Sequence, residues 1–349
     1  MKGVVQVSWV GFLALALALG CGDKAVDDVD RRDVGHDVGN DLSDDVDVEP
    51  AIALASVYDL TGSQLFPESG AFDSQTRTFY VGSLGFGTLT SIDGEDGSER
   101  LFFAGTGEAN RLTLGVQADV ARRRLWVCSI TSEEGEPGLV WAFDLDSGER
   151  THEFVLADTV EGASCNDVDV DGQGRAYVTD RKNPRIYRVD ASANSGAGTV
   201  EIWAQDPLLE PQVIGLNGIA ISPDGASLLV GKYLPARLLR IAMHDPSDVA
   251  LVELAGDTFA GTGVSGADGI AFLGEALYVA FPEKVVRVVA HDDQWRKAQV
   301  DAQTGFAQLA ALIVAEDALY AVKGAAVEFV LKRAPALPFQ LIRVDLEGF

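Results

Sequence analysis

From residue 51 onward the chain alternates short apolar runs with clusters of Gly, Asp and Pro. Period-two alternation broken by such turn residues predicts short antiparallel strands. One kind of run recurs six times, at residues 78–83, 124–129, 175–180, 227–232, 276–281 and 318–323. Typical copies read Thr78-Phe79-Tyr80-Val81-Gly82-Ser83 and Arg175-Ala176-Tyr177-Val178-Thr179-Asp180. Successive copies begin about 42 to 52 residues apart, the period of propeller blades rather than of helical repeats. Each copy follows an alternating strand and a turn, as in Val168-Asp169-Val170-Asp171-Gly172, and precedes a third strand, as in Ile186-Tyr187-Arg188-Val189-Asp190. A fourth strand is expected in five copies, at residues 100–103, 153–156, 200–203, 250–254 and 295–300. The sixth copy lacks one, and the β-capable run at 52–60 is expected to supply it, pairing an edge that would otherwise be exposed. The pattern predicts an all-β fold over residues 51–349, a six-bladed β-propeller with four antiparallel strands per blade, its ring closed by an N-terminal strand.

Ahead of that domain the pattern changes. Residues 1–20 carry Lys2, then a Val/Leu/Ala-rich run through Leu19, and read as an export signal. Ala18-Leu19-Gly20-Cys21 is similar to a bacterial lipobox, in which the cysteine is lipidated, although Ala18 stands where Leu is usual. The expectation is an exported cell-envelope lipoprotein anchored at Cys21, or a secreted protein if the lipobox is not used. The apolar run is marginal for crossing a bilayer and lacks a basic stop-transfer flank. Residues 21–50 are dominated by Asp, Val, Gly and Asn and cannot bury enough apolar surface to offset their ordering entropy. They predict an acidic, disordered tether, so membrane contact runs through the lipid anchor alone.

Charge narrows the partners. Lys and Arg total 27 against 53 Asp and Glu, a formal net charge of -26. Nucleic-acid binding needs basic patches that displace counterions, so this balance argues against it and favours cation binding. Export permits a disulfide between Cys128 and Cys165. Cys128, however, sits inside Leu125-Trp126-Val127-Cys128, where a buried small apolar side chain is the default, and sequence alone leaves the connectivity open.

In a propeller the innermost strands start near one axis, so equivalent residues at those starts converge on one mouth of the channel. Aligning the copies puts Glu68, Asn166, Asn217 and Asp268 at that position, while the second and sixth copies offer Leu114 and Gln308. Two carboxylates and two amide oxygens form a hard-oxygen set suited to Ca²⁺ or another divalent cation. Asn-Asp, Asn-Gly and Asp-Gly are also common turn dipeptides, and each could be punctuation instead. No Gly-x-Ser-x-Gly elbow occurs, and Trp126, Trp141 and Trp203 fall within expected strands, as core.

The same residues carry a resemblance. Pro67-Glu68-Ser69-Gly70, Asn166-Asp167-Val168, Asn217-Gly218-Ile219-Ala220-Ile221-Ser222-Pro223-Asp224-Gly225 and Ala267-Asp268-Gly269-Ile270 resemble the gluconolactonase, senescence marker protein and luciferin-regenerating enzyme family. That resemblance implies a six-bladed propeller with a catalytic divalent cation held by Glu68, Asn217 and Asp268, and Asn166 as a further metal or active-site contact. It also implies an Arg two residues before the Asn-Asp pair, where this chain has Ser164. Related paraoxonase-type propellers place His near the metal, whereas His152, His244 and His291 fall on outer strands or blade-edge turns here, as surface residues.

These readings lead to a calcium-dependent lactone or ester hydrolase acting on a small molecule, with Asp268 and Asn166 as catalytic residues. The competing expectation is a non-catalytic surface binding or scaffold propeller that keeps a structural ion.

Overall fold

The computed structural model describes residues 52–349 apart from 109–110, 132–135, 192–195 and 264. The signal, the lipidation site Cys21 and the tether lie outside the described residues. Six sheets, antiparallel but for one added edge strand, follow one another along the chain. The first contains β2 (Gly70–Asp73), β3 (Thr78–Gly82), β4 (Leu89–Asp93) and β5 (Glu99–Phe103). The second contains β6 (Arg111–Asp119), β7 (Arg124–Thr131), β8 (Leu139–Asp144) and β9 (Arg150–Val155). The third contains β10 (Val168–Val170), β11 (Ala176–Thr179), β12 (Arg185–Ala191) and β13 (Gly198–Gln205). The fourth contains β14 (Ile214–Ile221), β15 (Ser227–Leu234), β16 (Arg237–Ala242) and β17 (Asp245–Leu251). A short β18 (Glu253–Gly256) leads to the fifth, β19 (Ile270–Leu273), β20 (Ala276–Phe281), β21 (Lys284–Ala290) and β22 (Lys297–Thr304). The sixth joins β23 (Leu309–Ala315), β24 (Ala318–Lys323) and β25 (Phe339–Arg343) to β1 (Val57–Leu60).

Each blade's innermost strand contacts the innermost strands of its neighbours, and β2 meets both β6 and β23, so the sheets form a closed six-bladed propeller. The N-terminal strand closes it as expected, with Val57 to Leu60 paired antiparallel to Ile342 to Phe339. Tyr58 locks this strand in place: its hydroxyl donates to the Gly94 carbonyl at 2.6 Å, and the Tyr320 hydroxyl donates to the Ala55 carbonyl at 2.7 Å. Burial explains why the second strands were the clearest signal. They are covered on both faces by neighbouring blades, so β7 is buried from Leu125 to Ile130, whereas the outer strand β13 is mostly exposed.

Three details depart from expectation. The outer strands are longer than expected or shifted, as in β22 at Lys297–Thr304. The run expected as the fourth strand of blade four divides in two: β17 stays in its blade, while β18 crosses over and pairs parallel to β22, giving blade five a fifth strand. Cys128 is fully buried but not free. It bonds to Cys165, Sγ to Sγ 2.04 Å, because the end of β7 and the segment entering blade three are neighbours around the ring. Among the described residues no helix is long and apolar enough to cross a membrane.

Candidate functional site

Glu68 precedes β2, Asn166 precedes β10, Asn217 lies in β14 and Asp268 precedes β19. All four are at least nine-tenths buried, and all four line one cavity of about 310 Å³. The sequence-based alignment therefore brings together the residues it selected, and Leu114 of the second blade lines the same cavity.

Backbone detail sets each position. Asn217 is not in a hairpin turn. It sits at a register shift between Leu216 and Ile219 in the β14/β15 pair, and the same irregularity recurs between Thr113 and Val116 in β6 and between Leu309 and Ala311 in β23. Such bulges re-aim side chains at strand ends. Gly218 is needed beside it, since a Cβ there would stand 2.5 Å from the Asp268 carbonyl oxygen. Beside it, the Asn217 side chain acts on the Asp268 carboxyl as a hydrogen-bonding group that lowers it. Thr179 braces two blades at once: its carbonyl accepts from the Asn166 N–H at 3.0 Å, and its hydroxyl donates to the Asn217 carbonyl at 2.8 Å. Asp268 is fixed by its own N–H, which donates to the Ala280 carbonyl at 2.9 Å.

The electrostatics of the mouth are unbalanced. Burial pushes the Glu68 carboxyl well above its ordinary value, and the charges of Asp268 and Asp167 push it further. Burial likewise raises Asp268, with Asp167 adding to it and the Asn217 hydrogen bond opposing. No hydrogen bond among the described residues relieves Glu68; only Arg181 opposes the rise.

Three residues of this site were not singled out in the sequence. Arg181 and Tyr233 line the cavity, and Asp167 lies just below it in the channel. Burial lowers the Arg181 guanidinium and raises the Tyr233 phenol. Arg181 makes no hydrogen bond or ion pair among the described residues; its turn is held by Asp180, whose carboxylate accepts from Lys182 N–H, Asn183 N–H and the Tyr187 hydroxyl. A signal for these residues exists in the repeat. A blade's second strand runs antiparallel to its first, so it ends at the mouth where the first begins. Leu84, Ile130, Arg181 and Tyr233 occupy such ends, and all line the cavity.

Other expectations need correction or placing. Ser164 is buried but is not among the cavity-lining residues, so the cationic group of the cavity comes from Arg181 instead. His152 is not a surface residue: it is 4% exposed and stacks on Phe154 at 5.8 Å, because the outer face of β9 packs against a neighbouring blade. His244 and His291 are exposed. Trp126 and Trp141 are fully buried in the core. Gln308 stays outside the cavity wall; its side-chain oxygen accepts from Ala336 N–H at 2.8 Å and so anchors the β24–β25 connection.

That connection carries a short helix, α1 (Ala326–Val330), over the mouth. Its Phe329 packs on Phe66 at 5.2 Å, one residue before the Pro67-Glu68 pair. At its start Gly324 is obligatory, since a Cβ would fall 1.5 Å from the Pro67 carbonyl oxygen.

The donor chemistry fits a hard divalent cation: two buried carboxylates repel each other while amide oxygens from two further blades face the same space. Among the described residues no group of three or more His, Cys, Asp or Glu is clustered to hold a metal.

Among curated proteins none matches this sequence. Solved structures do. The major allergen Mala s 1 of Malassezia sympodialis superposes with a TM-score of 0.65 at 18% identity, over 84% of this chain and 97% of that one. A gluconolactonase from Xanthomonas campestris gives 0.57 at 18% identity, over 82% and 89%. Virginiamycin B lyase from Staphylococcus aureus gives 0.52 at 12% identity, over 83% and 98%. At such identities the likeness establishes the propeller and nothing finer. The sequence itself is more specific: the SMP-30/gluconolactonase/LRE-like region model matches residues 103–304, more than half of the chain, and the chain belongs to that family.

Proposed function

We propose that this propeller is a divalent-cation-dependent lactone or ester hydrolase, with Ca²⁺ the preferred ion. One observation carries the reading: four oxygen-bearing side chains from four separate blades line a single buried cavity, with two carboxylates among them and no counter-charge of matching strength. Family membership supports the reaction class, and a gluconolactonase is among the solved structures of the same fold.

Glu68, Asn166, Asn217 and Asp268 would hold the ion. When bound, such a cation supplies a Lewis acid for the scissile carbonyl. The remaining work falls to the chain. Asp268, held by Asn217, takes a proton from the attacking water as the water oxygen bonds to the carbonyl carbon. The ring C–O bond then breaks, and the proton passes to the leaving alkoxide, so one water is consumed and a hydroxy acid is released. Asn166 positions the water or the substrate. Burial of the cavity floor keeps bulk water from screening these interactions.

The test is a panel of lactones and aryl esters assayed on the purified protein with added Ca²⁺ and with chelator. Hydrolysis that disappears on chelation and in Asp268→Ala supports the proposal. Thermal stabilisation by Ca²⁺ without turnover of any substrate overturns it in favour of a binding propeller with a structural ion, a reading that Ser164 in place of an arginine also favours.

A further inference from the structure

The cavity has two chemically different halves. Its floor holds Glu68, Asn166, Arg181, Asn217 and Asp268, with Tyr233 beside them. The rest of its lining carries none of that chemistry. Leu112, Leu114 and Ile130 make the second blade's side of the cavity apolar down to the level of the carboxylates, and Ile214, Val330 and Leu331 are its solvent-exposed apolar residues. The rim residues are conspicuously open to solvent: Ile214 is 44%, Val330 73% and Leu331 41% exposed. They are not stray surface residues, because they flank one concave space that is continuous with the polar floor.

A polyhydroxylated sugar lactone does not suit this shape. Its hydroxyls, above the reacting ring, would meet Leu and Ile side chains and lose their water without gaining partners. A substituent that is itself apolar would cover Val330 and Leu331 and leave no polar group stranded.

We infer that the substrate is a lactone or ester bearing a hydrophobic chain or aryl group. Its reacting carbonyl rests on the polar floor, and its substituent lies along Leu112, Leu114 and Ile130 and out under α1. The short helix is therefore a specificity element, and the segment around Gly324 and Gln308 fixes its height over the floor. This inference rests on the hydrolase reading above, and it commits to the substituent.

The experiment uses the full chain with added Ca²⁺ and compares δ-gluconolactone with δ-lactones of increasing alkyl side chain. The expected result is a kcat/KM that rises about fourfold per added methylene until the chain passes the rim, with δ-gluconolactone the poorest substrate. In Val330→Asp and Leu331→Glu that rise flattens, so the ratio of long-chain to short-chain kcat/KM falls at least fivefold. Circular dichroism and the thermal midpoint check that both variants fold; Val330 is mostly exposed, so its replacement is mild.

Preference for δ-gluconolactone, or equal rates along the series, overturns the inference and leaves the hydrolase reading standing. If no lactone is hydrolysed, the hydrolase reading fails. The inference is then decided by calorimetry with the matching alkyl δ-lactams, which do not turn over under these conditions. Affinity that climbs with chain length and drops in Val330→Asp upholds an apolar-ligand site; affinity that does not climb ends it.

Discussion

Two pairs of carboxylates line the propeller channel, Asp167 and Asp169 half-buried along it and Glu68 and Asp268 buried at its mouth, and the chain treats them in opposite ways. In the channel, Asp167 accepts from the N–H groups of Val168 and Ile219, at 2.9 and 3.3 Å. Asp169 accepts from Val170 and Ile221 N–H, at 2.8 and 2.7 Å, and from the Gln117 amide. Both thereby tie the inner strand of blade three to the free edge of blade four. At the mouth, Asp268 has one side-chain partner, Asn217, and Glu68 has none among the described residues. Buried polar groups in folded proteins are normally paired. The channel pair obeys that rule with backbone donors, and the mouth pair leaves its oxygens directed at a cavity. The difference separates carboxylates that tie the ring together from carboxylates whose oxygens line an open cavity.

Replacing one member of each pair breaks the comparison most sharply. Asp268→Ala should reduce lactone or ester hydrolysis by more than about 100-fold, because a ligand and the proton acceptor are lost together. Its fold should survive, and in chelator it should be no less stable than the parent, since a like-charge repulsion has been removed. Asp169→Ala should do the reverse. It strands two backbone N–H groups and an amide, which costs about 1–3 kcal/mol each way such a partner is lost, and it lowers the thermal midpoint while turnover continues. Equal loss of stability in both variants would erase the distinction.

A smaller effect is expected of Glu68→Gln. It removes one charge but keeps an oxygen at the same place, so calcium affinity measured by calorimetry should fall about 10- to 100-fold with an unchanged circular dichroism spectrum. Unaltered affinity would mean that Glu68 is not among the ligands.

Smaller again is the pH dependence of stability. Burial raises Asp167 from its ordinary 3.8 to about 7, and raises Glu68 and Asp268 well above their ordinary values. A carboxyl whose folded pKa lies above its unfolded value binds its proton more tightly in the folded state. Its contribution is complete below the unfolded pKa and is lost as pH climbs through the folded one. Carboxylates held low by partners, such as Asp73 beside Arg123, act with opposite sign, but their gain is finished by about pH 5. The window from about pH 5 to 8 therefore isolates the raised group. In chelator the thermal midpoint should fall by several degrees across it, and saturating Ca²⁺ should remove most of that fall by favouring the ionised forms. A midpoint in chelator that holds or rises over this window would contradict the assignment.

How much of this was legible in the sequence follows from period and symmetry. Strands covered on both faces gave unmistakable runs, such as Leu125-Trp126-Val127-Cys128, and their spacing fixed six blades. Blade equivalence then found Glu68, Asn166, Asn217 and Asp268, because a repeated fold places equivalent residues at equivalent heights. What it could not supply was anything off the repeat. The 324–338 insertion that lays α1 across the mouth has no counterpart in other blades, and the crossover of β18 obeys no local pattern. An outer-strand position does not by itself mean solvent exposure: β9 tucks His152 against Phe154, where it is buried. Arg181 carries a topological rather than a local signal: second strands end at the same mouth where first strands begin.

Arg181 supplies the smallest and most discriminating prediction. Arg181 lines the same cavity as the carboxylates, burial works against its charge, and Glu68, ahead of Asp180, is the largest influence favouring that charge. In the ion-free protein it is the one positive group that holds the raised Glu68 down. A divalent cation bound by Glu68 would meet that same charge as a repulsion, so Arg181 and the ion compete to neutralise one carboxylate. Arg181→Met should therefore tighten calcium binding by about two- to tenfold, and should lower the midpoint in chelator at pH 7 by leaving Glu68 without its opposing charge. The two measurements must move in opposite directions. If Arg181→Met weakens calcium binding, the guanidinium is organising the ion site rather than contesting it. The unbalanced mouth would then have to be explained by geometry that Arg181 enforces, and not by a charge that the chain leaves for a ligand to cancel.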